Sequence, residues 1–500
     1  MAVTCEYCLL YAASTVLGFC CLFAYNSFLS SPSYLEHYFQ FAAVKYTDNV
    51  STLPSAKTKS FWDNSATWVT VLMIVPMLLM QFLMLSPFVL RQNVQARMII
   101  GATFSLISVL IVPVCAAGGG MSEGGAMTVV IIACILCGAA TTTFESAQYA
   151  FFGSLPTKFM TGYVLGGGFS GSINSVLRIV ITVGLPSTFS GVKTSAVIFF
   201  SIGMALMVVT VIVVLMMRMS PLVRSYCADY RRPGDVARSA HAEAAEERLR
   251  NTADTALNGD ELLHASAAIQ KAENDEMLAA DADLVPGSNE APNDSSDNSH
   301  TVTLPNNSAA PFEEEGDPSV VSVVSKIWVM MCCLTGNMFT SLVLFPGIGL
   351  KAMRVVTESS SSSGDGTTWG AEAVMPMVII LMFNAGDTIG RLSSNFRTLW
   401  VPRFYVPFVV LVRAVACVIP LALGVCNPRV INSDANPIVV FLVLGITNGY
   451  LIGLTMAYGS SDPRLTHKER SIAGACLCFA LLVGTTCGSV VSLIVVTQAF

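Results

Sequence analysis

The sequence predicts an all-α polytopic membrane protein with eleven transmembrane helices, six before and five after a long acidic segment. Three observations lead there. Of 500 residues, 53% are hydrophobic and 12% charged, whereas soluble globular domains carry about 25% charged residues. Apolar runs recur at the length that a bilayer core demands, roughly 20 residues per helix. The remaining charge is concentrated in one place: residues 218–325 hold 20 Asp plus Glu against 8 Lys plus Arg. The net charge of -6 is therefore a loop property, and the other 392 residues carry +6. No nucleic-acid partner is expected from that balance.

In chain order the runs fall at about 7–30, 67–90, 98–117, 126–151, 161–185 and 194–217, then 326–350, 372–395, 404–425, 438–459 and 471–497. The first follows Glu6, lacks a basic n-region and is longer than a cleavable apolar core, so it reads as a retained helix. Residues 1–217 form a six-helix bundle on this reading, and 326–500 form a five-helix bundle. Between them, 218–325 is acidic and rich in Ser, Asn, Pro and Ala with no extended apolar run. Such a segment buries too little surface to offset its ordering entropy, and a mostly disordered cytoplasmic loop is expected.

With the N-terminus inside, the inner connections hold 16 Lys plus Arg and the outer ones 7. The positive-inside rule then places the N-terminus in the cytoplasm and Phe500 outside. The sequon Asn49-Val50-Ser51 falls in the first outer loop, where glycosylation is topologically allowed. Those at Asn293 and Asn306 fall inside and should stay bare.

Polar groups within spans are the functional candidates, because a charge at mid-bilayer costs about 2.5–3.5 kcal/mol on insertion scales. The eighth span carries Asn384, Asp387 and Arg391. Their spacings of three and four put all three on one helical face, where Asp387 and Arg391 can neutralise each other. The fourth carries Glu145 and Gln148, and the fifth Asn174 and Arg178 after Gly162, Gly166, Gly167, Gly168 and Gly171. Those glycines read as packing residues that permit close helix approach. Glu145 has Arg178 as a candidate partner on the neighbouring span. Arg413 in the ninth span receives no role, and Asn26 is the polar residue of the first.

Most of the fifteen cysteines lie inside apolar runs, where cysteine packs as a small hydrophobe. Cys134-x-x-Cys137 has metal-pair spacing but no second pair or histidine in its run, so no metal or cofactor is expected. Neither HExxH nor GxxxxGK[ST] occurs, which removes the usual signatures of a zinc protease and of a P-loop pump.

The string Phe383-Asn384-x-x-Asp387-x-x-Gly390-Arg391 resembles the signature of the equilibrative nucleoside transporter family. So do Asn448-Gly449-Tyr450 with Glu469, Ala473-Gly474, Gly484 and Gly488, and Gln148 with Phe152-Gly153, Leu155-Pro156 and Gly167 to Gly171. The resemblance, closest to protozoan nucleoside/nucleobase transporters, covers nearly all of the chain except the long loop. It implies a 6+5 two-bundle, major-facilitator-like arrangement and passage of nucleosides or nucleobases by alternating access, one bundle rocking against the other. It also implies that Asp387 and Arg391 lie at the sugar end of the substrate site, Gln148 near the base and Asn384 in the same cavity. The family's Pro-Trp-Asn stands here as Ala24-Tyr25-Asn26; Tyr25 keeps an aromatic surface for a base, and the base preference stays open. Proton-coupled protozoan members make Glu145 the candidate proton carrier. A monomer in the plasma membrane, taking up purines and needing no cofactor, is the resulting expectation. The alternatives are a carrier for another small polar solute such as a sugar, and a membrane-embedded enzyme or receptor.

Overall fold

The computed structural model describes residues 2–29, 31–43, 57–63, 65–186, 188–227, 319–345, 374–425 and 435–499. Most of the acidic segment lies outside the described residues, as do the sequons at Asn49, Asn293 and Asn306.

Helices of at least 20 residues account for most of what is described. They are α1 (Ala2–Leu29), α2 (Ser65–Met84), α3 (Val94–Gly118), α4 (Glu123–Gly153), α5 (Thr157–Gly184) and α6 (Phe189–Met217). Residues 218–325 are not loop throughout: a short helix spans Pro221–Tyr226, and α7 (Val320–Val343) begins before residue 325. Then come α8 (Val374–Ser393), α9 (Val406–Val425), α10 (Ala435–Ser460) and α11 (His467–Ala499). Among the described residues, nine of these are long and apolar enough to cross a membrane. The other two are α2, whose apolar part is Trp68–Met84, and α8, whose apolar run is interrupted by Asn384, Asp387 and Arg391.

Local chemistry moves some boundaries away from the apolar runs. The second run was expected to continue to residue 90, but α2 stops at Met84. Ser86 then caps a new turn, Pro87–Leu90, accepting from the Val89 N–H at 3.4 Å, with Pro87 where a missing N–H does no harm. Ser122 likewise accepts from the Gly125 N–H at 3.2 Å and starts α4 three residues before its apolar run. The connection after α1 is not a bare loop. Its short helices Pro32–Glu36, Tyr38–Ala43 and Lys59–Asp63 sink Tyr34, Tyr38, Phe41 and Trp62 into the core. The Tyr38 hydroxyl donates to the Val112 carbonyl at 2.8 Å. The Glu123 carboxylate accepts from the N–H groups of Lys57 and Thr58 at 2.9 and 2.8 Å and from Trp62 Nε1 at 3.1 Å.

Glycine contacts define how the long helices pair, since a missing Cβ lets backbones meet. Gly18 and Gly166 put α1 against α5; Gly138 puts α4 against α2. Later in the chain Gly484 and Gly488 put α11 against α7, while Gly386, Gly390, Gly445 and Gly449 put α8 against α10. The pairing of first with fifth and second with fourth is thus repeated by seventh with eleventh and eighth with tenth. The two sets meet where α5 packs on α8 and where α4 and α2 pack on α11.

Candidate polar site between α4, α5 and α8

Helical periodicity does the first part of the work. Asn384, Asp387, Thr388 and Arg391 share one face of α8, and that face is turned to α5. Arg391 Nε donates to Asp387 Oδ2 at 2.6 Å, and its Nη1 reaches across to the Val164 carbonyl of α5 at 2.9 Å. The predicted ion pair is therefore present, and it also ties two helices together. Small residues on α5 make room for it. A Cβ at Gly167 would lie 3.1 Å from Arg391 Nη1, and one at Gly168 only 2.8 Å from Arg391 Cδ. These glycines seat a guanidinium, a more specific task than the general packing expected of them.

Asn384 is held on the same helix pair. Its Nδ2 donates to Ser175 Oγ at 2.7 Å, and its carbonyl accepts from Ser172 Oγ at 2.8 Å. A Cβ at Gly171 would approach its Oδ1 to 3.1 Å. Asn26, by contrast, spends its amide on α5, donating to Ser170 Oγ at 3.3 Å. Tyr25 packs against two hydrophobic clusters, one within the first six helices and one that also takes in residues of α7, α10 and α11.

The α4 residues sit in a different environment. Glu145 is 5% exposed and lies within electrostatic reach of Arg391, so that guanidinium, and not Arg178, is the cation it faces. Cys21, Tyr25, Tyr149, Tyr163 and Cys478 are also within electrostatic reach of its carboxyl. Tyr163 meets Tyr149 edge-on at 4.9 Å between ring centroids and stacks on Phe152 at 5.1 Å. Gln148, one turn beyond Glu145, is 0% exposed, and neither its Oε1 nor its Nε2 has a hydrogen-bond partner among the described residues. A buried amide left in that condition costs about 1–3 kcal/mol.

Several polar residues around the site received no role from the sequence, Asn448 entering only through the family motif and Arg413 as a charge without a task. Asp387 Oδ1 accepts from Asn448 Nδ2 of α10 at 2.7 Å. Asn448 is held in turn by Asn337 and Ser341 of α7, and Arg413 of α9 bonds to that pair. Asparagines and an arginine in apolar runs are the signal that could have found them. Gln81 of α2, fully buried, donates to Ser146 Oγ at 3.3 Å and to the Ala475 carbonyl of α11 at 3.1 Å.

At the end where α1 begins, the two sets of helices touch. The Tyr11 hydroxyl donates to Asn395 Oδ1 at 3.0 Å, and Gly153 and Gly474 bring α4 and α11 into backbone contact. Below them lies an ionic layer in which Glu469 accepts from Lys326 Nζ at 2.7 Å. Asp462, between α10 and α11, is bound by both Arg403 and Arg464. Burial pushes the Asp462 carboxyl up, but the hydrogen bonds from Arg464 and the charge of Arg403 outweigh it and hold it below the ordinary carboxylate range. Among the described residues no group of three or more His, Cys, Asp or Glu could hold a metal ion.

Chemically, the site offers a carboxylate acceptor, a guanidinium donor and an amide with both functions free. Sequence comparison adds an independent finding. The family model for nucleoside transporters matches residues 129–497. Nucleoside transporter 1 of Crithidia fasciculata is 27% identical over 97% of this chain and 93% of its own length. Adenosine transporter 1 of the same organism is 25% identical with the same coverage, and human equilibrative nucleoside transporter 2 is 25% identical over 95% and 94%. Among solved structures, the major-facilitator proton:xylose symporter XylE superposes with a TM-score of 0.53 at 12% identity, covering 98% of this chain and 88% of that one. That likeness concerns the fold alone.

Proposed function

The chain belongs to the nucleoside transporter family, and from that premise we propose that it carries purine nucleosides or nucleobases across a membrane by alternating access. It is a carrier and not an enzyme. The observation that carries the substrate reading is Gln148, whose two amide atoms are buried without partners one turn from Glu145. A base edge supplies one donor and one acceptor, and that is what the amide lacks. Vicinal ribose hydroxyls suit the other end, where Asp387 accepts and Arg391 donates. Tyr25 supplies the flat surface and Asn384 holds α8 on α5. Asn26, whose amide is spent on Ser170, contributes by fixing α1 beside α5.

Alternating access on this reading is a rocking of residues 1–217 against 326–500, with eleven spans split six and five. The repeated helix pairing and the major-facilitator likeness support it. The positive-inside count assigns the end where Tyr11 meets Asn395 to the cytoplasm, so contact there closes the inner side on this reading. A monomer in the plasma membrane, surrounded by lipid and glycosylated at Asn49, completes the proposal.

Proton coupling is the finer part. Glu145 would take a proton on one side and release it on the other. Uptake by Glu145→Gln is expected to lose its dependence on external pH, and an unchanged pH profile would remove the carboxyl from the coupling step. The substrate reading is tested by radiolabelled uptake in cells lacking purine transport, comparing adenosine, inosine, uridine, adenine and hypoxanthine. Saturable uptake of at least one purine is expected. Uptake of glucose with none of the five would overturn it.

A further inference from the structure

Arg413 is the charged residue to which the reading above gives no task. It sits on α9, 4% exposed, and its bonded partners among the described residues are all neutral. Nε donates to Thr447 Oγ1 at 2.8 Å and Nη1 to the Asn337 carbonyl at 3.0 Å. Nη2 donates to Ser341 Oγ at 2.6 Å and to the Leu444 carbonyl at 3.2 Å. A buried cation ordinarily has a counter-charge. The nearest chain of bonds to one runs through Ser341 and Asn448 to Asp387.

Each link in that chain has a direction. Arg413 supplies protons to the Ser341 oxygen and to the Asn337 carbonyl, which is the alternative acceptor for the Ser341 hydroxyl at 2.9 Å. With that carbonyl occupied and its own lone pair taken, the hydroxyl hydrogen is best spent on Asn448 Oδ1 at 2.7 Å. Asn337 Nδ2 donates to the same oxygen at 3.1 Å. Two donors on Oδ1 decide which way the Asn448 amide faces, so its Nδ2 is aimed at Asp387 Oδ1, 2.7 Å away. Arg391 holds the other oxygen at 2.6 Å. Glycine at 449 permits this, because a Cβ there would collide with the Asp387 carbonyl.

We infer that Arg413 is a positioning residue for the substrate site: acting through Ser341 and Asn448, it orients the Asp387 carboxylate that receives the ligand's hydroxyls. The carboxylate is thereby clamped between two guanidiniums, one bonded directly and one through a relay, before any ligand arrives. Preorganisation of this kind sharpens recognition of the sugar hydroxyls and leaves the base end untouched. The inference rests on the assignment of Asp387 to the sugar end, and the test separates the two.

The full chain, purified in detergent, is titrated with adenosine and with 2′,3′-dideoxyadenosine, and the ratio of the two affinities is recorded for each variant. Wild type should favour adenosine by at least about tenfold, the worth of one hydrogen bond to a charged group. Asp387→Asn should bring the ratio close to one. Arg413→Met and Asn448→Ala should each bring it to about threefold or less, with dideoxyadenosine affinity nearly unchanged, and Arg413→Lys should restore part of it. In an Asp387→Asn background, Arg413→Met should change the ratio no further. If Asp387→Asn leaves the ratio intact, the sugar-end assignment fails and the inference with it. If Asp387→Asn collapses the ratio while Arg413→Met and Asn448→Ala preserve it, or lower both affinities alike, Arg413 is structural and the inference alone is overturned. Should Arg413→Met not reach a folded state, Ser341→Ala with Asn448→Ala breaks the relay without removing the guanidinium and decides the question on the same ratio.

Discussion

The polar residues of α4 and those of α8 face the same region of the protein but are treated in opposite ways. On α8 three polar residues are each bonded to neighbours: Asp387 on both oxygens, Arg391 across to α5, and Asn384 to Ser172 and Ser175. On α4, Gln148 is fully buried with neither amide atom bonded, and Glu145 makes no direct ion pair while facing the Arg391 charge. One wall is finished before a ligand arrives, and the other is left incomplete. An incomplete buried amide is a local loss of stability that a ligand can recover, whereas a finished ion pair gives geometry without any such debt.

The largest effect should come from undoing the finished wall. Asp387→Asn leaves Arg391 without its counter-charge in a buried site, a loss on the order of 3 kcal/mol. Initial uptake per surface copy is expected to fall by about a hundredfold. The double swap Asp387→Arg with Arg391→Asp should not restore it, because Asn448 and Val164 are placed for the native order. Full rescue in an uptake assay would show that the pair is only structural.

Next comes the seat on α5. In Gly168→Ala the new methyl lies 2.8 Å from Arg391 Cδ and 3.1 Å from the Thr388 backbone. Overpacking of that kind costs about 1–3 kcal/mol, and the affected group is the guanidinium itself. Uptake should fall by roughly tenfold, with helical content unchanged by circular dichroism. Gly184→Ala, at a position with open space, serves as the control and should behave as wild type.

The unfinished wall makes a prediction of opposite sign. Gln148→Met replaces a buried unpartnered amide by an apolar chain of similar length, so ligand-free protein in detergent should become more stable by about 1 kcal/mol. The same variant should bind adenosine about tenfold more weakly, since one or two hydrogen bonds to the base are lost. A variant that is more stable and binds less well marks a residue held in reserve for a ligand. Lower stability together with normal binding would contradict the comparison.

The smallest effect belongs to the ionic layer beyond both walls. Asp462 is held below its ordinary pKa of 3.8, so its stabilisation is complete above that value and is lost as pH falls through the lowered one. Thermal unfolding in detergent should show wild type losing stability in acid. Asp462→Asn should be weaker at neutral pH and decline less steeply, because its amide does not titrate. Parallel acid limbs would exclude Asp462 as their source.

Much of this was legible before any coordinates. The α8 stripe followed from spacings of three and four, and its internal ion pair from the i,i+4 rule. The apolar runs predicted where the long helices lie but not all of their ends: α2 stops short at Met84, Ser122 starts α4 early, and α1, α3, α5, α6, α7 and α11 begin four to six residues before their runs. The α5 glycines were legible as points of close approach, though not as the seat of a particular guanidinium. Arg413 was visible as an anomaly and received no role, because its partners Ser341 and Thr447 lie 72 and 34 residues away in the chain. Arg178 looked like a partner for Glu145 because α4 and α5 are consecutive, whereas the cation that faces Glu145 comes from α8.

The sequence by itself determined which segments are helical and membrane-like, and which side chains share a face, because both depend on local periodicity and on the expense of placing charge in an apolar run. Only the tertiary structure decided which of those polar groups are satisfied by protein and which are left for something else. That outcome depends on which helices become neighbours, and hydrogen bonds across a bundle have no periodicity along the chain.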